Sequence, residues 1–175
     1  ELERRNIPTI PLKALTRDVS VIGEIVSFFQ LISLLKRIRP DVLHVNSSKA
    51  GGLGALAGRL TRIPNIIFTA HGWAFNEERP WWQKKIVLFL SWLTIMLSHT
   101  TLAVARAVRE DIAHFPFVQS KIKVIPLGIA PIKFRTRTDA HTLLSALSPR
   151  LRHTVEQNNH LWIGTVAELH PVKGL

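Results

Sequence analysis

A chain of 175 residues, 46% hydrophobic and 20% charged, has room for one sizeable core and is too apolar to be disordered. It contains no cysteine, which excludes a disulfide framework and a thiolate metal site. Lysine and arginine number 23 against 12 acids, and the formal charge of +11 favours anionic partners such as nucleic acid, lipid head groups or phosphorylated substrates.

The charged opening Glu1–Arg5 is not followed by an apolar stretch, so no signal peptide is visible. Thr9–Leu12 reads as a weak strand broken by Pro8 and Pro11. Ser20 is a good N-cap for a helix reaching Ile38, with Val21, Ile25, Phe28, Ile32 and Leu35 on one face and Pro40 as the stop. Val42–Asn46 is a strand, and Lys49–Arg62 a helix with Leu53, Leu56, Ala57 and Leu60 at helical spacing. Ile66–Ala70 is a third strand, and Pro80 suits the first position of a helix to Leu97. The apolar run inside it, Ile86–Leu97, has 12 residues, short of the roughly 20 needed to span a bilayer. Thr101–Ala105 is strand-like, Arg106–His114 a short helix, and Lys121–Pro126 a strand ending at Leu127-Gly128. Strands alternating with helices, in runs suited to burial on both faces, predict a Rossmann-like, doubly wound parallel α/β sheet. Beyond Gly128, Ala130–Thr138 reads as a connection, His141–Asn159 as polar and helical in part, and Leu161–Val166 as a fresh strand without its helix. The chain is therefore expected to stop as a second domain begins.

The turn Asn46-Ser47-Ser48-Lys49-Ala50-Gly51-Gly52 lies where a parallel sheet binds ligands, outside the carboxyl end of a strand. It brings two hydroxyls, a lysine and a helix start with unpaired N–H groups, an array that attracts anions. Lys49 there opposes the helix dipole, a conflict that a bound phosphate would remove. Gly54 and Gly58 are expected to pack on the sheet, whereas Ser47–Gly52 is expected to touch a ligand. At the end of the next strand, His71-Gly72-Trp73 places a histidine that is either structural or catalytic. None of the eight histidines has a metal-binding spacing. Trp81, Trp82, Lys84 and Lys85 open the long helix, a pattern that suits either a membrane interface or a core helix.

Together these segments resemble family-4 glycosyltransferases of the GT-B fold. Arg39–Gly51 is similar to that family's third-strand motif and its following loop, and Phe68–Phe75 to its next strand and histidine loop. Val124–Ile129 looks like the turn before the interdomain linker, and Ile163–Gly174 like the opening of the donor-binding domain. The resemblance implies an acceptor-side domain over 1–129 lacking its first strand, a linker region over 130–160, and the start of a donor domain over 161–175. It implies retaining, metal-independent transfer from a UDP- or GDP-sugar, with no other cofactor. The acceptor would be a lipid-linked or saccharide glycan of bacterial surface polysaccharide synthesis.

By that resemblance His71 meets the transferring sugar or diphosphate. Asn46, Ser47, Ser48, Lys49, Gly51, Gly52 and Gly72 line the acceptor or phosphate side, and Lys173 with Gly174 meets the donor diphosphate. Glu168 stands where many members carry an arginine and would repel that diphosphate, so either a different cation serves or Glu168 faces away. The expected setting is the cytoplasmic face of the membrane, as a peripheral protein on an anionic surface, and the isolated piece is expected to be inactive. Two rival readings are a non-catalytic basic module binding nucleic acid and a GT-B-like sugar-nucleotide epimerase; the residues lack the stacking motifs of an RNA-binding sheet.

Overall fold

A computed structural model describes residues 6–12, 14–15, 20–128 and 131–147. The chain divides into two compact units, Glu1–Leu127 and Gly128–Leu175. In the first, the order is α1 (Val21–Ile38), β1 (Val42–Asn46), α2 (Ser48–Leu60), β2 (Asn65–Ala70), a 3-10 turn (Ala74–Asn76), α3 (Trp81–Leu97), β3 (Thr100–Ala103), α4 (Arg106–Ala113) and β4 (Ile122–Val124). The second contains α5 (Arg137–Leu147). The helix α5 starts inside the stretch read as a connection, and the expected strand Leu161–Val166 lies outside the described residues. Thr9–Leu12 forms no strand; Pro11 has no N–H to give a ladder and restricts Ile10 before it.

The sheet has the order β1-β2-β3-β4 with every pair parallel, the expected Rossmann-like α/β class. Each crossover is a helix, and the sequence marks both ends of α1, which precedes β1. Ser20 caps α1 by accepting from the Gly23 N–H at 3.2 Å, and Arg39 closes it in the left-handed conformation ahead of Pro40. Pro80 acts as N-cap of α3 rather than as its first residue. No cation sits in the last turn of α3 itself, and its carbonyls are met from elsewhere. The Arg59 guanidinium donates to Leu97 O, and the Lys121 ammonium to Met96 O and Ser98 O at 2.8 and 2.7 Å.

The helix α2 packs differently from the expectation. Leu56 and Leu60 are exposed, and the buried face consists of Gly51, Gly54, Ala55, Ala57 and Gly58. A Cβ on Gly54 would stand 2.5 Å from Val45 Cγ1, and one on Gly58 2.8 Å from Ile66 Cδ1. The backbone therefore approaches the sheet too closely for side chains between them. In α1, Val21 and Ile25 are exposed, and burial falls on Ser27 and Leu35, with Phe28, Leu31 and Ile32 against the smaller core of Ala55, Ala57, Ile63 and Ile66. The larger core joins Val45, Phe68 and Ala70 to Trp73, Ile95, Ala103 and Ile112. Burial alternates along β1, with Val45 buried while Val42, His44 and Asn46 are exposed. The expected burial on both faces fails on β1, which is buried on its helix-covered face alone, and is met on β2, where consecutive Phe68, Thr69 and Ala70 are all buried.

These contacts have two measurable consequences. Gly54→Ala should cost about 1–3 kcal/mol by overpacking the stiff Val45, outweighing the ~1 kcal/mol that alanine gains in helix propensity. Gly72→Ala, with nothing within 4 Å, should stay within about 0.5 kcal/mol; urea denaturation reads both. The second concerns His99, whose Nδ1 accepts from the Ile66 N–H at 2.9 Å. Its pKa is lowered from the ordinary histidine value by burial first, then by the charges of Arg59 and Lys121. The folded state thus resists a proton that the unfolded chain accepts. Stability should be complete above about pH 6.5 and fall as pH drops through the interval below it. His99→Asn, which keeps an acceptor for Ile66, should flatten that loss in thermal melts from about pH 7 to about pH 5.

Candidate functional site

The register of β1 against β2 pairs Asn46 with Thr69, so the next residues of both strands leave the sheet side by side. Across this end His71 Nε2 lies 3.3 Å from Asn46 Oδ1. One step down the strands, His44 Nε2 lies 2.7 Å from Thr69 Oγ1. With Asn46 Oδ1 accepting, the His71 ring carries its proton on Nε2, and its neutral form leaves Nδ1 able to accept from a hydroxyl. Asn46, Ser47, Ser48, His71 and Gly72 are all exposed there, beside the start of α2.

The aromatic loop after His71 holds the histidine in place. Trp73 is buried against Phe68, with ring centroids 6.3 Å apart, and stacks on Phe75 at 5.7 Å. Its indole N–H donates to Val108 O at 2.6 Å, and the Asn76 amide donates to Asp111 Oδ2 at 2.8 Å. The loop is thus pinned to α4 at two points. The aromatic run is visible in the sequence; its anchoring role is not, because both partners lie 35 residues away.

At the other side of the site Ser47 adopts φ 68°, ψ 155° and makes no side-chain capping bond to α2. That backbone region belongs to glycine, and a serine held there is strained by roughly 1–3 kcal/mol. Gly51 and Gly52 come next, and each is accounted for by packing. A Cβ on Gly51 would meet the Phe68 ring at 2.7 Å, and one on Gly52 the Thr94 hydroxyl at 3.2 Å. Lys49 forms an ion pair with Glu24 of α1 at 3.0 Å. Glu24 therefore supplies the negative charge that the start of α2 lacks, and the dipole conflict does not itself demand a bound anion. Nothing in the sequence links Glu24 to Lys49, since they meet only when α1 lies along α2.

Asn46 also borders a mainly apolar cavity of about 240 Å³ lined by Ser27, Leu31, His44, Ala50 and Leu53. A larger groove of about 620 Å³ lies at the opposite, amino ends of β1 and β2, beside Asp41 and Pro64. It is remote from the histidine. Among the described residues no group of three or more His, Asp or Glu could hold a metal. Glu168, Lys173 and Gly174 lie outside the described residues.

A parallel α/β sheet with helical crossovers makes this a Rossmann-like domain, a class in which ligands bind past the carboxyl ends of the strands. Residues 2–132 match the sequence profile of Glycosyltransferase Family 4. The chain belongs to that family. It is 35% identical over 124 residues to the UDP-Gal:alpha-D-GlcNAc-diphosphoundecaprenol alpha-1,3-galactosyltransferase of Escherichia coli, covering 69% of this chain and 31% of that protein. In fold it is similar to the UDP-GlcNAc 2-epimerase of Methanocaldococcus jannaschii, with a TM-score of 0.51 and 18% identity over 70% of this chain and 33% of that one. The chain spans about a third of the length of each.

Replacing Ser47 by glycine separates strain from function. Ser47→Gly should raise stability by up to about 1–3 kcal/mol, less the entropy glycine adds to the unfolded chain, as read by denaturant midpoint. A lower midpoint would show that the serine is not strained.

Proposed function

We propose that this chain forms the acceptor-side wall of an enzyme that moves a hexose, with retention, from a nucleotide-diphosphate sugar to a lipid-linked diphosphate sugar. Family membership supports sugar transfer as the class of reaction. The relative's name supports the finer reading, a UDP-sugar donor and a diphosphoundecaprenol-linked acceptor. In this reading 1–129 is the acceptor-side domain, 130–160 the link, and 161–175 the opening of the donor domain. Work on a lipid-linked acceptor puts the enzyme at the cytoplasmic face of a membrane as a peripheral protein in bacterial surface polysaccharide synthesis.

The observation that carries the proposal is the Asn46–His71 pair beside the turn of α2. In the transfer, the anomeric carbon exchanges its bond to a diphosphate oxygen for one to the acceptor hydroxyl, whose proton is released. Negative charge grows on the leaving diphosphate, so fixed donors and cations at that place lower the barrier. Asn46 orients the His71 ring, and His71 contacts the transferring sugar or its diphosphate. The hydroxyls of Ser47 and Ser48, with Lys49 and the backbone at Gly51, Gly52 and Gly72, line the acceptor or phosphate side. Lys173 and Gly174 meet the donor diphosphate.

In the full-length enzyme His71→Ala should lower kcat about a hundred- to a thousandfold. The exposed ring should leave the melting temperature nearly unchanged. Turnover equal to the unsubstituted enzyme would remove His71 from this role.

A further inference from the structure

The start of α2 is guarded by an acid from another helix. Lys49 Nζ stands 3.0 Å from Glu24 Oε1, with the two side chains 26% and 29% exposed. That carboxylate oxygen is itself buried and makes no hydrogen bond among the described residues. Charge rather than a directional bond therefore couples it to the lysine. Glu24 is well fixed on its own side. It lies in the first turn of α1, under the Ser20 cap, where the helix dipole favours a carboxylate. Gly23 before it lets that turn close tightly, since a Cβ there would stand 2.9 Å from Ala14 O. When the lysine turns to a ligand, the carboxylate stays. On the other side the first turn of α2 contains no acid, and Ser47 makes no capping bond to it. The Ser47 and Ser48 side chains are exposed, beside N–H groups that have no partner within the helix.

We propose that Glu24 is a specificity-determining residue, which bars ligands carrying one phosphoryl group from the Asn46–Gly52 turn and admits those carrying a diphosphate. That the ligand is the acceptor's diphosphate rests on the proposed function; the choice between one phosphoryl group and two does not. Electrostatics sets that choice. A single phosphoryl group that takes Lys49 replaces one anion by another. It meets repulsion from Glu24 and leaves the buried Oε1 without compensation. A diphosphate suffers the same loss but brings a second phosphoryl group. The Ser47 and Ser48 hydroxyls and the N–H groups of the turn can bind its oxygens without the lysine. With the carboxylate removed, one phosphoryl group would suffice. Glu24 thus acts against the wrong ligand more than for the right one, and it does so without touching either.

The test titrates the full-length protein with inorganic phosphate and with inorganic pyrophosphate by calorimetry. Pyrophosphate should bind about tenfold or more tighter than phosphate. Glu24→Gln should tighten phosphate about five- to tenfold and pyrophosphate less, so that the preference shrinks. Glu24→Ala should act in the same direction, which keeps the measurement available if either variant folds poorly. Glu24→Asp, which retains the charge, should keep most of the preference. In a Lys49→Gln background the Glu24→Gln change should lose most of its effect, which assigns it to this turn rather than to another phosphate site. An ion pair that only braces α1 against α2 gives a different result: a lower thermal midpoint, with phosphate binding unchanged or weaker. That result overturns the proposal. So does an equal gain for both ions, a gain that persists in full without Lys49, or no binding of either ion. Sugar transfer by the full-length enzyme separates the two readings. If the titrations behave as expected and no transfer to a diphosphate-linked acceptor occurs, only the proposed function falls. If transfer occurs and Glu24→Gln leaves the preference unchanged, only the role of Glu24 falls.

Discussion

The contact on which the site depends is the seating of α2 directly on β1 and β2. Three glycines face Phe68, Val45, and the pair Ile66 and Leu43, at distances that leave no room for even a methyl group. This closeness fixes both the depth and the axial position of the helix. It sets the first turn of α2 level with the carboxyl ends of the two strands that deliver Asn46 and His71. A helix held by larger side chains would stand farther from the sheet and could slide by small rotamer changes; one held by backbone against β-branched and aromatic side chains cannot.

The site therefore rests on rigid neighbours and is itself partly strained. The strands bring Asn46 and His71 together through register, and the Trp73 anchor keeps the histidine loop from swinging away. Ser47 absorbs the geometric cost of turning from β1 into α2 within one residue. The electrostatics are correspondingly restrained. Glu24 meets Lys49, so the start of α2 is charge-balanced within the protein before any ligand binds. An incoming phosphate would have to compete with that carboxylate for the lysine, which makes the hydroxyls and backbone N–H groups of the turn the more selective part of the array.

The elements are legible in the sequence because their signals are local. Ser20 as a cap, Pro40 as a stop, and short β-branched runs before each helix are enough to place every strand of the sheet within a residue or two. The Asn46 turn and the His71 loop are legible for the same reason, since position at a strand's carboxyl end is set by the order of the elements. Direction is not legible. The leucines of α2 promise a buried face by volume, yet Leu56 and Leu60 face outward because the backbone needs the glycine side against the sheet. Val21 and Ile25 continue the apolar face of α1 beyond the core that Leu35 reaches. Pairings such as Glu24 with Lys49, or Trp73 with Val108, depend on how helices lie together, and no local pattern encodes them.

Close packing also shapes the contact of α3 with α2. Part of the inner side of α3 lies against α2, where a Cβ on Gly52 would press within 3.2 Å of the Thr94 hydroxyl. At that contact threonine fits, and its hydroxyl, like that of Ser91, returns to a carbonyl of its own helix and leaves no unpaired polar atom. Beside that contact the inner side also takes larger residues, with Ile95 fully buried and Leu88, Trp92 and Met96 packed against the larger core. The helix α2 beside the Asn46–His71 pair is thus held from two directions, by the sheet through Gly51, Gly54 and Gly58 and by α3 through Gly52.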